Sequence, residues 1–495
     1  MRHPFTPKRL ACALLTLSSA SLLHAAEPKT TLDATPDLAR NVILIIGDGM
    51  DSHQITSARS YLVGSKADML LDTMPVRSAV QVLTVDENNP ERPVYVADSA
   101  NSATAIASGQ VTSRGRIGTT AGTDQDITNI VELAQAQGFS AGIVSTANIT
   151  DATPASFVAH TASRGCENPN IMRSNEASFY PPKPDCDADR KPTGAGSIAQ
   201  QIVEGEIDII LGGGLQHLAT TAEGSESSAV AEDGAAEGTG LITLAQNNGF
   251  DVVLDADQLD ELDATKKIIG VFTDSTMPTR WQGSEGRIAE KVETSLLNKV
   301  YVMLGSATLP EPMSCEANPE YANTPSLKKM TSAAIKHLDT RSQDGKGFFL
   351  MVESASIDKQ SHKRNPCGSI GELEQLNEAL SEALSYADEH PNTLVLVTAD
   401  HGQAAQIIPD ESLFVKVGIP AYTPGYIARL KTPEGSILAI NYATTVFPAE
   451  EHTGTDVPLY ANDVGLGVVP PRTTQPKLFN LMADHLKLDY SQTTE

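Results

Sequence analysis

The sequence predicts a doubly wound α/β fold: a mostly parallel central sheet with helices on both faces. Three observations predict it. Residues 42–46, 348–352 and 394–397 are apolar at consecutive rather than alternate positions, the pattern of strands covered on both faces in a parallel sheet. Strand-like and helix-like stretches alternate along the chain, as crossover connections require. Each of the three apolar runs also ends in metal-ligand residue types, at Asp48, Glu353 and the pair Asp400-His401. In open α/β sheets ligands bind off the carboxyl ends of the strands.

The chain opens with Arg2, Lys8 and Arg9, an apolar run over 11–23, and then Ala25-Ala26. This reads as a secretory signal peptide over 1–26, with cleavage after Ala26 and Ala20 as the alternative; the run is short for a membrane span. Residues 27–495 read as one catalytic domain, because the candidate ligands extend from Asp48 to His452. Beyond the strand at Asn41, helices are expected at 128–137, 326–339 and 371–389, and strands at 140–145, 207–211 and 267–272. Gly212-Gly213-Gly214 lacks a following Lys-Ser/Thr or dinucleotide spacing and reads as a tight strand exit. The stretch 216–265, whose portion 220–240 is rich in Ala, Gly, Ser and Glu, is expected to be a surface loop or insertion. Trp281 reads as a packing residue.

Thirty-six basic residues face sixty-two acidic ones, a formal charge of -26, and removal of the basic leader makes the chain more acidic still. That balance argues against nucleic acid and anionic membranes as partners. It fits either adaptation to high salt or an ordinary acidic exported protein. Of five cysteines, Cys12 lies in the leader. Cys166, Cys186, Cys315 and Cys367 remain, an even set that reads as disulfides with three connectivities open. A zinc-thiolate site is the weaker reading, since no close Cys-x2-Cys pair is present.

Asp98-Ser99-Ala100-Asn101-Ser102-Ala103-Thr104-Ala105 opens a small-residue helix with a serine at its N-terminus, where unpaired N–H groups and the helix dipole favour a phosphoryl group. Asp48, Glu353 and Asp400 at one sheet rim would repel unless a cation sat between them. Asp358 and His362 are four residues apart in Ser356-Ile357-Asp358-Lys359-Gln360-Ser361-His362, so one helical turn points both at a single ion. His452, in Glu450-Glu451-His452-Thr453-Gly454, offers another imidazole.

Taken together these blocks resemble the alkaline phosphatases in their bacterial secreted form, over nearly the whole chain after the leader. The matching segments are IGDGM at Asp48, DSANSATA at Ser99, STANITDATPASFVAHTASRGC over 145–166, VESASIDKQSHKRNPCG over 352–368, VTADHG at Asp400 and EHTG at His452. The resemblance implies two zinc ions and one magnesium. Asp358, His362 and His452 would ligate one zinc; Asp48, Asp400, His401 and the Ser99 oxygen would ligate the second. Asp48 would bridge to a magnesium held with Thr153 and Glu353, and Asp151 would hold a magnesium-bound water.

Ser99 would be the nucleophile, forming a phosphoserine from a phosphate monoester, with zinc activating it and then the water that hydrolyses it. Arg164 would grip two non-bridging phosphate oxygens, Asp98 would orient Arg164, and Lys359 would reach phosphate through a water. The resemblance, with sequence order, pairs Cys166 with Cys186 and Cys315 with Cys367. It implies broad monoester specificity, an alkaline pH optimum, a homodimer and a periplasmic or extracellular location.

Rival readings are a phosphodiesterase or sulfatase of the same superfamily and an exported, non-catalytic metal- or phosphate-binding protein. A sulfatase needs Pro and Arg after its modified residue, whereas Ala100 and Asn101 follow Ser99. A phosphodiesterase would lack the Thr153, Glu353 and Arg164 set. The intact Ser99 with every inferred ligand argues against a purely binding role.

Overall fold

The structure, a computed structural model, describes residues 39–173, 186, 196–219, 240–342 and 345–491. The signal-peptide reading over 1–26 and most of the polar stretch at 220–240 lie outside the described residues. A ten-stranded central sheet dominates. In chain order its strands are β1 (Asn41–Gly47), β2 (Val76–Gln81), β3 (Ser140–Asn148), β4 (Ile209–Gly213), β5 (Phe250–Val253), β6 (Lys267–Val271), β7 (Phe348–Ser354), β8 (Thr393–Ala399), β9 (Val457–Ala461) and β10 (Arg472–Thr474). Their spatial order is β10-β2-β9-β8-β1-β7-β3-β4-β6-β5. Every pairing is parallel except the two that β9 makes with β8 and β2.

The consecutive apolar runs have the expected cause. Every residue of β1, β7 and β8 is buried, and successive side chains of a strand point to opposite faces. Both faces are therefore covered. The helices that frame the sheet and the site are α1 (Ser52–Leu62), α2 (Ser99–Ser108), α3 (Ile130–Ala136), α4 (Ala152–Ala155), α5 (Leu241–Asn247), α6 (Leu327–Arg341), α7 (Ser356–His362), α8 (Pro366–Glu389) and α9 (Gln475–Leu486). Among them α6, α8, α3, α4 and α9 pack on the strands at the centre of the sheet. That layered, mostly parallel sheet is the doubly wound α/β architecture that the sequence predicts.

Differences from the sequence reading are local. Helix α8 begins at Pro366 rather than 371, because the Asn365 side chain caps it and proline suits the first turn. Within 216–265, the described residues 241–261 are not a loop: they form α5, the edge strand β5 and a short 3-10 helix. Strand β5 carries a weak sequence signal because Asp251 interrupts a run of only four residues. The glycine exit of β4 is tight as expected, since a β-carbon at Gly213 would lie 2.1 Å from the Ser275 carbonyl oxygen. Trp281 packs against Gly371 and donates its Nε1–H to Glu374 at 2.7 Å.

Both cysteine pairings are present, with Cα–Cα separations of 5.7 Å for Cys166–Cys186 and 5.3 Å for Cys315–Cys367. No helix among the described residues is long and apolar enough to cross a membrane.

Candidate active site

Sheet register assembles the first half of the site. Ile46 lies beside Glu353 on β7 and Thr398 on β8, so the residues that follow, Asp48 and Asp400, emerge at one level with Glu353. Asp48 N–H donates to the Ser354 carbonyl at 3.1 Å and Gly49 N–H to Asp400 Oδ1 at 2.9 Å. Gly49 has φ 68°, and a β-carbon there would stand 3.1 Å from Asp358 Cβ. Only glycine permits both that backbone and that approach.

Ser99 is the first residue of α2. The Asp98 carboxylate accepts from Asn101 N–H at 3.1 Å and the Asn101 amide oxygen accepts from Asp98 N–H at 2.9 Å, a reciprocal cap. Ala100, Ala103 and Ala107 let this buried helix pack closely under α9 and α4. Ser99 Oγ ends 3.2 Å from His401 Nε2. The same nitrogen lies 3.2 Å from Asp400 Oδ2 and 3.4 Å from Asp48 Oδ1. Both of those carboxylate oxygens are buried without a hydrogen bond.

The second half hangs on α7 and a distant segment. Asp358 and His362 face the same way on α7, with His362 Nε2 3.2 Å from Asp358 Oδ2. His452 reaches the same point, its Nε2 3.3 Å from Asp358 Oδ1 and 3.1 Å from His362 Nε2. Two ring nitrogens and a carboxylate thus converge. His362 Nδ1 bonds the Glu450 carbonyl, His452 Nδ1 bonds that of Ala97, and His401 Nδ1 bonds that of Gly402. Since a carbonyl only accepts, each ring carries a proton on Nδ1 and turns Nε2 inward; burial opposes the His362 cation but Asp358 outweighs it and raises its pKa, whereas burial holds His401 neutral. Imidazole nitrogens turned toward one another, beside unpartnered carboxylate oxygens, are the donor set of a metal site. The residues therefore fit bound cations.

The electrostatics agree with the geometry. Burial, reinforced by Asp358, Asp400 and Glu353, raises the Asp48 pKa well above the carboxylate range. Burial pushes Asp400 up to about 6 and Glu353 up to about 7. Such groups ionise fully at neutral pH only if positive charge is supplied. Burial, with His452 nearby, keeps His401 neutral. Burial opposes the Asp358 anion, yet His362 and His452 outweigh it and hold its pKa well below the usual value.

Beside Glu353 lie Thr153 and Ser145. Ser145 Oγ donates to Glu353, and Thr153 Oγ1 is buried close to that carboxylate without a hydrogen bond of good geometry.

Arg164 sits between two carboxylates, with Nη2 2.9 Å from Asp151 Oδ1 and Nη1 3.4 Å from Asp98 Oδ2. Lys359 closes on the other oxygen of Asp151. Burial disfavours the Asp151 charge, but Lys359 and Arg164 together hold its pKa well below the usual range. The Arg164 side chain remains 31% exposed, so a fork of donors faces solvent at the mouth.

The sequence-predicted metal-ligand positions from Asp48 to His452, with Asp98, Arg164 and Lys359, thus lie in one connected network. Several supporting groups carried no prediction. Gln403 Nε2 donates to Asp358; Glu450 is buried under the His452 segment; Arg364 pairs with Glu450 at 2.6 Å. The one signal available was their adjacency to the DHG, EHTG and SHK motifs.

A family model described as alkaline phosphatase matches residues 39–445. The chain belongs to the alkaline phosphatase family. It is 36% identical over 459 residues to the streptomycin-6-phosphate phosphatase of Streptomyces griseus, covering 91% of this chain and 90% of that protein. It is 35% identical over 462 residues to the alkaline phosphatase of Escherichia coli (strain K12), covering 91% and 86%. The fold matches the crystal structure of Thermus thermophilus alkaline phosphatase with a TM-score of 0.61, at 19% identity over 94% of this chain and 96% of that one. As an alkaline phosphatase family member, the chain is a phosphoric monoester hydrolase.

Proposed function

We propose that this alkaline phosphatase hydrolyses monoesters through a phosphoserine at Ser99, with Asp358, His362 and His452 holding one zinc, and Asp48, Asp400 and His401, with the Ser99 oxygen, a second. Asp48, Thr153 and Glu353 would hold a magnesium, with Asp151 on its water, since all-oxygen donors suit the harder ion. The observation that carries this reading is Ser99 Oγ at a helix N-terminus, 3.2 Å from the inward-facing His401 Nε2 and beside two buried carboxylate oxygens that have no hydrogen bond. When bound, the cations supply charge neutralisation, a lowered pKa for the serine hydroxyl and water, and stabilisation of the leaving oxygen.

The chain's own groups do the rest. Arg164 presents two parallel N–H donors to two non-bridging phosphate oxygens, and Asp98 and Asp151 fix the plane of that fork. A diester, with one such oxygen esterified, is gripped less well. The N-terminus of α2 faces the same phosphoryl group. Ser99 Oγ gives up its proton to solvent and forms a bond to phosphorus as the bond to the ester oxygen breaks, and the alcohol departs with a proton from solvent. Water then forms a new P–O bond as Oγ–P breaks, releasing phosphate and restoring the hydroxyl. Lys359 contributes positive charge beside Asp151. Because the grip is on phosphate, the substrate range is broad, and the need to deprotonate serine and water sets an alkaline pH optimum.

The basic and apolar leader supports export to the periplasm or beyond. The exposed apolar side chains of Leu296, Leu297, Val300, Leu413, Phe414 and Val417 support a homodimer. The acidic balance supports salt adaptation, which predicts a melting temperature that rises with sodium chloride.

The deciding experiment is steady-state hydrolysis of a chromogenic phosphate monoester beside its diester and sulfate analogues. It is run for wild type and Ser99→Ala, after chelation and after return of zinc with magnesium. Monoester turnover restored by metal and lost in the variant supports the reading; preference for diester or sulfate defeats it.

A further inference from the structure

The segment that delivers His452 is a poor scaffold by itself. Between Tyr442 and His452 the chain is mostly exposed, with Val446 at 99% and Phe447 at 47%, yet Glu450 is 1% exposed. The Glu450 carboxylate is the loop's anchor. Its Oε2 accepts from Thr444 N–H and Thr444 Oγ, both at 2.8 Å, and from Thr445 N–H at 3.3 Å. Its Oε1 accepts from Arg364 Nε at 2.6 Å.

Arg364 braces the loop from the other side. It lies two residues after His362, with φ 60°, a left-handed backbone that a β-carbon disfavours. That turn brings its guanidinium back over the loop, where Nη2 donates to the Phe447 carbonyl and Cζ sits 3.7 Å from the centre of the Tyr426 ring. The peptide of Glu450 meanwhile bonds His362 twice. Glu450 N–H donates to the His362 carbonyl at 3.1 Å, and the Glu450 carbonyl accepts from His362 Nδ1.

We propose that the buried Arg364–Glu450 ion pair is the positioning device of one metal: it locks the loop before His452 so that the Glu450 peptide orients His362 and delivers His452 to Asp358. The proposal rests on the metal-site reading above. A fork that makes two hydrogen bonds and a ring contact fixes direction as well as distance, which a lysine at 364 would not. Outer groups that orient metal-bound imidazoles tune affinity without touching the ion.

The test is titration of the metal-free, full-length protein with zinc against a competing chelator, and with cobalt(II) read by its visible spectrum. Glu450→Gln keeps the size and the acceptor oxygen but removes the charge. Because breaking a buried pair can destabilise the fold, Arg364→Met combined with Glu450→Leu serves as a second variant that leaves no charge unpaired. Both are expected to bind one equivalent about 10- to 100-fold more weakly, with an altered cobalt spectrum for that equivalent, while the remaining equivalents keep wild-type affinity.

Wild-type affinity at every equivalent in both variants overturns the proposal. Uniform weakening of all equivalents, in step with a lower melting temperature of the metal-free protein, overturns it too, since that is what a merely structural pair would do. A wild type that binds no equivalent which His362→Ala abolishes would bring down the metal-site reading itself, and the positioning role with it.

Discussion

The two halves of the site are built by different means. Asp48, Glu353, Asp400 and His401 stand on ends of strands whose every residue is buried, so hydrophobic packing and sheet register place them. Asp358 and His362 stand on a seven-residue helix seated in the core by Ile357, and His452 follows an exposed loop; polar contacts among Gln403, Glu450 and Arg364 set the loop and the side chains. The His401 side chain is fully buried, whereas 30% of the His362 side chain is exposed. Rigidity in the first half is inherited from the core; in the second it has to be made locally, by hydrogen bonds that compete with water.

The largest effect should come from the strand-built half. Ser99→Ala removes the proposed nucleophile while leaving the buried carboxylates untouched. Turnover of a monoester should fall by at least ~10⁴-fold, as when nucleophiles are removed from other covalent hydrolases. Metal content, measured by elemental analysis, should match that of the wild type, because every carboxylate and imidazole donor is still in place. A collapse of all bound metal would mean that the serine, not the strand ends, organises this half.

Metal removal should separate the halves next. In the stripped protein Glu353 and Asp400 have pKa values of about 7 and about 6, raised by burial, against about 4 in the unfolded chain. Between those values the native state binds more protons than the unfolded one, so the stability of the stripped protein falls as pH rises from about 4 to 7. Bound cations remove that penalty. The gap in melting temperature between loaded and stripped protein should therefore widen from about pH 5 to about pH 8, and a constant gap would contradict the electrostatic account. A chelator should empty the site in two phases, the faster belonging to the half with the partly exposed His362.

This division also explains what was legible in the sequence. Strand burial on both faces writes itself as unbroken apolar runs, so residues 42–46, 348–352 and 394–397 announced the sheet and the carboxylates beyond them. Asp358 and His362 were visible through their helical spacing. His452 had no local signal, and its place in the site came from family resemblance alone. Arg364 and Glu450 are 86 residues apart, and a loop has no period that links such partners. Glu450 sits next to Glu451 in an acidic surface-like dipeptide, so nothing in composition separates the buried carboxylate from the exposed one.

The disulfides sharpen the comparison at the level of stability. Cys315–Cys367 spans 52 residues and fastens the start of α8, just beyond His362 and Arg364. Replacing both cysteines with serine should cost about 2–5 kcal/mol, measured by denaturant unfolding of the metal-loaded protein. The faster chelation phase should quicken in that variant while the slower one holds. Equal acceleration of both phases would show that the two halves share one scaffold.

The smallest expected effect lies at the mouth, where neither half governs. Arg164 is tied to Asp98 at the start of α2 and to Asp151 at the start of α4. Arg164→Lys keeps the charge and loses the fork, so the proposed charge-assisted, two-point grip on phosphate would become a single contact. The loss of about 1.5–3 kcal/mol associated with hydrogen bonds to charged groups corresponds to roughly a 10- to 100-fold fall in kcat/KM for a monoester. Inhibition by inorganic phosphate should weaken by a similar factor, because product and substrate present the same oxygens. Turnover of a diester, which cannot use both donors equally, should fall less, so the preference for monoesters narrows. If instead the two substrates lose rate in equal proportion, Arg164 acts through Asp98 and the placement of Ser99 rather than by reading the phosphate, and it belongs with the rigid half after all.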